Sequence, residues 1–336
     1  MFALVSVLVL SSLSTAALAG ESQGLSLRQK HQDVARQIES RSKTYHLVEK
    51  YEGADFLNPK KWNYFTSRDP TRGQVEFQSH KAATRDGLAY VDGDVAVLAV
   101  DNKHHQHHLP LGKNRNSVRI TSTKKYNGGL FIADFYSMPH GCSVWPAWWS
   151  VGPNWPHAGE IDILEGVNTE ETNQYTLHSG RGCKLTRSVP ATAKILRTEC
   201  ESSNGDNAGC AFKDTDTRTF GHGFNDAGGG VYAHLWDASG IKIWHFPRDA
   251  IPADITEGRP EPMSWPTPAA FFSSEGCDIS RHFYDHSLVL DTTLCGAFAG
   301  GNYAASGCPG TCEEAVANKT NFDFAQWRIH YIAVYH

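Results

Sequence analysis

From Thr44 onward, apolar and polar residues alternate in short runs punctuated by Gly, Asn and Asp. A two-residue period makes one face of a strand apolar and the other polar. "LAYVDGDVAVLAV" predicts two strands about Asp92-Gly93, a strong hairpin signal. "SVRITSTKKYNGGLFIADFYSM" predicts a second pair about Asn127-Gly128-Gly129, and "VYAHLWDASGIKIWHF" a third with Gly240 in its turn. "SLVLDTTL" and "WRIHYIAVY" read as further strands, and "NDAGGGVY" as a turn before a strand. Almost no long helical period interrupts them, so the pattern predicts an all-β chain folded as an antiparallel β-sandwich. There is no internal repeat and no interdomain linker after residue 44, which predicts one domain over 44–336. Residues 20–43 are polar and weakly helical and read as a pro-segment or N-terminal extension.

The first 19 residues change the picture of compartment. "MFALVSVLVLSSLSTAALAG" has an apolar run from Phe2 to Leu10 and then small residues ending in Ala17-Leu18-Ala19. That is the pattern of a secretory signal with an A-x-A cleavage site after Ala19, although its first residues lack Lys and Arg. The run is too short to span a bilayer, and no other segment is long enough. "WRIHYIAVYH" is not a lipid-anchor tail. The expectation is a soluble, secreted, extracellular protein. The eight cysteines, Cys142, Cys183, Cys200, Cys210, Cys277, Cys295, Cys308 and Cys312, agree with export. An even number in an exported chain predicts four disulfides, whose pairing the sequence leaves open. Zinc is the rival for Cys308 and Cys312, but "CPGTC" has no second cluster at ligand spacing. The net charge is −5 with no basic block, which argues against nucleic acid and an anionic membrane as partners. "KHHQHH", Lys103 to His108, lacks neighbouring carboxylate or thiolate ligands and reads as a solvated loop rather than a metal site. Asn318-Lys319-Thr320 is the only N-glycosylation sequon.

The candidate chemistry lies in "GEIDILEGVN", Gly159 to Asn168. Glu160 and Asp162 are two apart and share a face of a strand. Glu165 is five from Glu160, an odd offset that would turn it to the other face. A bulge at Ile163-Leu164 would insert one extra residue and bring Glu165 back, leaving the apolar residues against the core. Four effective ladder steps then separate the two Glu Cα atoms by roughly 13 Å. With both side chains leaning inward, the carboxyls can approach to about 5–5.5 Å, the spacing of a retaining glycosidase. One Glu would attack the anomeric carbon while the other protonates the leaving oxygen; spacing alone does not say which does which. Asp162 between them would raise its neighbours' pKa values, the three titrating as a coupled group.

Three acids on one face could instead hold a cation. The segment leading into the motif, "GCSVWPAWWSVGPNWPHAG", argues for sugar, because it carries Trp145, Trp148, Trp149 and Trp155 within eleven residues. Sugars present flat C–H faces to aromatic rings while their hydroxyls take polar partners. Alternation alone assigns about half of these tryptophans to the core. No metal or cofactor is expected.

On these residues the chain resembles glycoside hydrolase family 16, whose signature E-x-D-x-x-E is matched by Glu160, Asp162 and Glu165. More closely, it resembles the secreted fungal endo-β-1,3(4)-glucanases of laminarinase type. The likeness runs from Tyr45 to the end through "RNSVRITS", "MPHGCSVWPAWW", "NWPHAGEIDILEGVN", "TLHSG", "IKIWHFPR", "PTPAAFF", "CDISRHF" and "GCPGTC". The resemblance implies a β-jelly-roll sandwich of two antiparallel sheets with a concave substrate cleft. It implies Glu160 as nucleophile, Glu165 as acid/base and Asp162 as the residue that orients the nucleophile. It places His178 on the next strand near the acidic cluster, Trp145 and Trp155 as sugar-stacking residues, and Arg115 and Asn116 as polar cleft residues, for which loop packing is the alternative. Where close relatives carry Asp-Trp after the Cys-Gly of "LCG", this chain has Ala297 and Phe298. Phe298 can stack but lacks an indole N–H donor. The resulting expectation is a monomeric, cofactor-free enzyme that hydrolyses β-1,3-glucan and mixed β-1,3/1,4-glucan. The alternatives are a cell-wall transglycosylase on the same scaffold and a non-catalytic glucan-binding protein, the latter opposed by the presence of both glutamates.

Overall fold

Eighteen strands and a few short helices make up the described part of the chain, residues 44–103, 109–203 and 205–336 of a computed structural model. The predicted signal, the polar extension and the histidines of "KHHQHH" lie outside the described residues. In chain order the first nine strands are β1 (Leu47–Glu52), β2 (Trp62–Tyr64), β3 (Val75–Phe77), β4 (Ala89–Asp92), β5 (Val95–Ala99), β6 (Arg115–Ser117), β7 (Arg119–Tyr126), β8 (Gly129–Ser137) and β9 (Val144–Val151). Then follow β10 (Glu160–Glu165), β11 (Gln174–His178), β12 (Lys194–Arg197), β13 (Cys210–Lys213), β14 (Gly230–Asp237), β15 (Gly240–Pro247), β16 (Ala270–Ser273), β17 (His286–Leu294) and β18 (Gln326–Tyr335).

They form two eight-stranded antiparallel sheets. One runs β16-β15-β14-β8-β18-β5-β4, with β1 also paired to β18; the other runs β12-β13-β11-β10-β9-β17-β7-β2. β3 and β6 make a small parallel pair. This is the expected jelly-roll sandwich, and the hairpins β4–β5 and β14–β15 form as the turn signals predict. The Asn127-Gly128-Gly129 turn does not join a pair. β7 is bonded to β17 and β2, whereas β8 is bonded to β14 and β18, so the chain passes there from one sheet to the other.

Alternation explains the layers. Phe131, Ala133 and Phe135 of β8 join Trp148, Ile161, Tyr175, Leu290 and Ile329 in the main core between the sheets. Leu130 and Ile132, on the opposite face of β8, pack with Val231, Trp244, Ile255 and Trp265 in a second cluster. The first sheet is therefore apolar on both faces. The second sheet buries Ile120, Trp148, Ile161, Leu177 and Leu290 and turns their neighbours away from that core.

All eight cysteines are paired: Cys142 with Cys308, Cys183 with Cys277, Cys200 with Cys210, and Cys295 with Cys312. The pairing left open by the sequence is thus resolved, and these residues belong to the scaffold rather than to a reactive site. Cys183, Cys200, Cys210 and Cys277 are buried in the main core, so none offers a thiol to a substrate or a metal. The Cys200 N–H donates to the Cys183 carbonyl at 3.2 Å, which sets the Cys183–Cys277 and Cys200–Cys210 bridges side by side. Cys308 and Cys312, the rival zinc pair, are bonded to different partners. Cys142 precedes β9 and Cys295 follows β17, and these strands are neighbours, so two bridges tie the segment 295–312 to one end of the second sheet. No helix among the described residues is long and apolar enough to cross a membrane.

Candidate active site

The parity of the acidic motif is corrected by a bulge. Against β9, Asp162 pairs with Trp149 and Leu164 with Trp148, two steps on β10 for one on its neighbour. Against β11, Asp162 pairs with Thr176 and Glu165 with Gln174, three steps for two. Ile163 and Leu164, adjacent in sequence, are consequently both in the main core. Glu160, Asp162 and Glu165 all emerge on the opposite face.

His178 sits directly across from Glu160 on β11. Its Nε2 lies 3.3 Å from Asp162 Oδ2 and 3.7 Å from Glu160 Oε1. Its Nδ1 is 2.9 Å from Ser202 Oγ, a contact that fixes the ring. Ser202 lies in the loop that the Cys200–Cys210 bridge closes, so this disulfide steadies the partner of His178. Glu165 Oε1 accepts a hydrogen bond from Trp145 Nε1 at 2.9 Å, and the Phe298 ring meets Trp145 edge-on at 5.4 Å. Trp155, 38% exposed, stands 6.4 Å from the His178 ring. Of the four tryptophans only Trp148 belongs to the core cluster. Trp149 shares the face of Trp145, and its Nε1 donates to Asp291 Oδ1 at 3.3 Å.

Sequence reasoning missed a second polar group on this face. Glu165 and Asp291 both pair with Ala147, one on each side of β9, and Asp291 also pairs with Arg119 of β7. The small Ala147 thus separates two carboxylates on one row. Arg119 lies 4.7 Å from the centre of the Phe65 ring and 4.9 Å from that of Trp149, with its NH1 3.8 Å from Asp291 Oδ2. Arg119 lies within "RNSVRITS" and Asp291 within "SLVLDTTL", but nothing in those segments marks them as partners; they meet only through the strand order β10-β9-β17-β7.

Of the two roles open to Arg115, the structure favours loop packing over the cleft. Its side chain is 1% exposed and donates to the carbonyls of Val316, Asp101 and Ala317, with its guanidinium against the Phe322 ring. These bonds occupy the group in loop packing, so it is not available to a cleft. Asn116 is half-buried, and its Oδ1 accepts from Gln78 Nε2 at 3.0 Å.

Burial governs the electrostatics. It pushes the carboxyls of Glu160 and Glu165 each up to about 8, with the Asp162 charge adding to both and His178 opposing. Asp162, 2% exposed, is raised well above the usual carboxylate range by the same burial and then by Asp291. Asp291 is itself pushed up to about 6 by burial, against the pull of Arg119. With Asp162 buried and Glu160 and Glu165 half-buried, three crowded acids resist ionising together, which favours keeping a proton in the cluster. Carboxyls coupled in this way can share a proton, one ionised while another is protonated, the pair that acid-assisted displacement at a sugar carbon needs. His178 Nε2 and one oxygen each of Glu160 and Asp162 also lie within 4.8 Å of one another, close enough for a single cation to reach all three.

Residues 62–335 match the model of the XgeA-like catalytic GH16 domain. The chain is 39% identical over 302 residues to a Schizosaccharomyces pombe protein named "Probable glycosidase", covering 88% of this chain and 70% of that one. It is 40% identical over 310 residues to a "Probable endo-1,3(4)-beta-glucanase" of Aspergillus clavatus, covering 89% of this chain but 47% of the relative. The chain thus spans about half the length of such Aspergillus relatives. Laminarinase 16A of Phanerochaete chrysosporium, solved with 6-O-glucosyl-laminaritriose in donor and acceptor sites, superposes with a TM-score of 0.83 at 36% identity, over 88% of this chain and all of that one. An elongating GH family 16 β-1,3-glucosyltransferase superposes at 0.81 with 39% identity, over 87% of this chain and all of that one. With the sandwich, the bulged acidic strand and a family match over nearly the whole described length, the chain belongs to glycoside hydrolase family 16.

Proposed function

We propose that the chain is an exported, retaining endo-β-glucanase that cleaves β-1,3-glucan and mixed β-1,3/1,4-glucan through a glycosyl-enzyme. The bulge carries this reading, because it sets Glu165 on the face of Glu160 with a tryptophan bonded to it. A carboxylate oxygen of Glu160 attacks the anomeric carbon as the bond to the leaving oxygen breaks, and that oxygen takes the proton of Glu165. The ionised Glu165 then removes a proton from water, which attacks the same carbon and frees Glu160. His178 and Asp162 orient the Glu160 carboxylate. Trp145, Trp155 and Phe298 supply ring surfaces for sugar. Four disulfides support export.

A second reading has one observation in its favour, the likeness to an elongating β-1,3-glucosyltransferase. The same glycosyl-enzyme would form and a sugar hydroxyl would take the place of water. Product lengths from laminarin separate the two, since transfer yields chains longer than the substrate and hydrolysis only shorter ones.

Role assignment is tested with two variants. Glu160→Gln should nearly abolish turnover of laminarin in a folded protein. Glu165→Ala should cleave laminarin very slowly yet release dinitrophenol from a dinitrophenyl laminaribioside, whose leaving group needs no proton, and then stall. Azide needs no base and should restore turnover, giving the β-glycosyl azide by two inversions. An α-azide product would exclude the covalent route through Glu160, and β-azide rescue of the Glu160 variant instead would reverse the two roles.

A further inference from the structure

The bulge that makes the site leaves a gap in the ladder. Between Asp162↔Thr176 and Glu165↔Gln174 the pairing of β10 with β11 is interrupted. Two backbone groups there, the Ile163 carbonyl and the Glu165 N–H, need partners, because buried peptide groups without them are costly. One side chain serves both. Asn173 Oδ1 accepts from Glu165 N at 2.9 Å, and Asn173 Nδ2 donates to Ile163 O at 2.9 Å. An amide is the side chain suited to this, since it carries an acceptor and a donor on one planar group.

Asn173 is itself immobilised. It is fully buried, its N–H donates to Thr219 Oγ1 at 3.0 Å, and its carbonyl accepts from Asp214 N at 2.9 Å. The Thr219 hydroxyl donates in turn to the Asp216 carbonyl at 2.6 Å. The segment 214–219 therefore holds Asn173, and Asn173 holds the two peptide groups flanking Leu164. The consequence is one of parity. Without the extra residue in the bulge, Glu165 would point into the core, because a one-residue slip exchanges the faces of a strand.

We infer that Asn173 is a positioning residue that pins the bulge in β10 and thereby aims Glu165 into the cleft. This rests on the reading of Glu165 as acid/base. It predicts a selective defect. Losing the pin should impair the step that needs proton transfer from Glu165 and spare the attack by Glu160, which lies before the bulge.

The test uses the full chain. In Asn173→Ala, kcat on laminarin should fall about 100-fold with KM little changed, the size expected when a reacting group is misplaced by about an ångström. The first burst of dinitrophenol from dinitrophenyl laminaribioside should stay close to wild type. Asn173→Asp keeps the acceptor for Glu165 N–H and nearly the same volume, so it should retain more laminarin turnover than the alanine variant. It carries the comparison if the alanine variant does not fold. Amide hydrogen exchange gives a readout independent of catalysis: the Glu165 N–H should lose protection in Asn173→Ala while the Ile161 and Tyr175 amides keep theirs. Equal losses on both substrates, or unchanged laminarin turnover, would overturn the inference. So would a Glu165 amide as protected as in the wild type. If Glu165→Ala retains full laminarin turnover, the acid/base reading fails instead, and amide exchange still decides whether Asn173 pins the bulge.

Discussion

At the scale of single residues, the chemistry of the site comes from taking carboxyls out of water and then crowding them. Burial raises Glu160, Asp162 and Glu165, and the Asp162 charge adds to the shift of both glutamates. Asp162→Asn removes that charge but little volume. Ionised Glu165 is then less opposed, so the alkaline limb of the kcat/KM profile should move to lower pH, and the shift should be partial because burial is the larger cause. An unmoved limb would show that Asp162 exerts no charge effect on the acid. Glu160, Asp162 and Glu165 were legible in the sequence because they are local, and their odd offset even foretold the bulge. Asn173, Ser202, Arg119 and Asp291 were not, since each meets the site only in the folded chain, Arg119 and Asp291 through the strand order, Asn173 just ahead of β11, and Ser202 in the loop that the Cys200–Cys210 bridge closes. Arg115 stayed open between the cleft and loop packing because a motif fixes where a residue lies in the chain and not what its guanidinium will bond.

Strands and turns were legible to the extent that turn chemistry determines them. Asp-Gly and Gly240 mark real hairpins. Asn127-Gly128-Gly129 marks a real turn whose flanking strands go to opposite sheets, because both bury a face in the same core from opposite sides. Nothing local distinguishes these outcomes. The crossing does show in the glycines: Gly128 has φ 131° and Gly129 φ 129°, and a Cβ on Gly129 would lie 2.8 Å from the Tyr335 carbonyl oxygen. Gly129→Ala should therefore destabilise the fold by about 1–3 kcal/mol through backbone strain alone, with steric contact adding to it. Denaturant unfolding measures this, and an unchanged midpoint would show that the turn relaxes freely. The Ala variant should keep its kcat when folded, since the turn belongs to the scaffold.

For the molecule as a whole, the sandwich and the number of disulfides could be read from strand pattern and cysteine count, but the pairing could not, as it depends on where distant strands end. Cys183 and Cys277 are 94 residues apart, whereas Cys200 finds Cys210 only ten residues on, and no spacing rule in the sequence tells these cases apart. Cys142 and Cys295 come together because β9 and β17 are neighbours, and each reaches forward to a cysteine in the same late segment. That arrangement bears on survival among proteases. Between Cys295 and Cys308 the chain exposes Gly301, Asn302, Ala304 and Ala305, small or polar residues of the kind that proteases nick. A cut between Ala304 and Ala305 would sever the backbone ahead of β18, which lies between β8 and β5 within its sheet. The released piece would still hold Cys308 bonded to Cys142 and Cys312 bonded to Cys295. Limited digestion should thus give one band on a non-reducing gel and two on a reducing gel, with glucanase activity surviving until reductant is added. Separation without reductant would contradict these bridges. The molecule would outlast the cutting of its own chain, persisting as two chains held by two bridges.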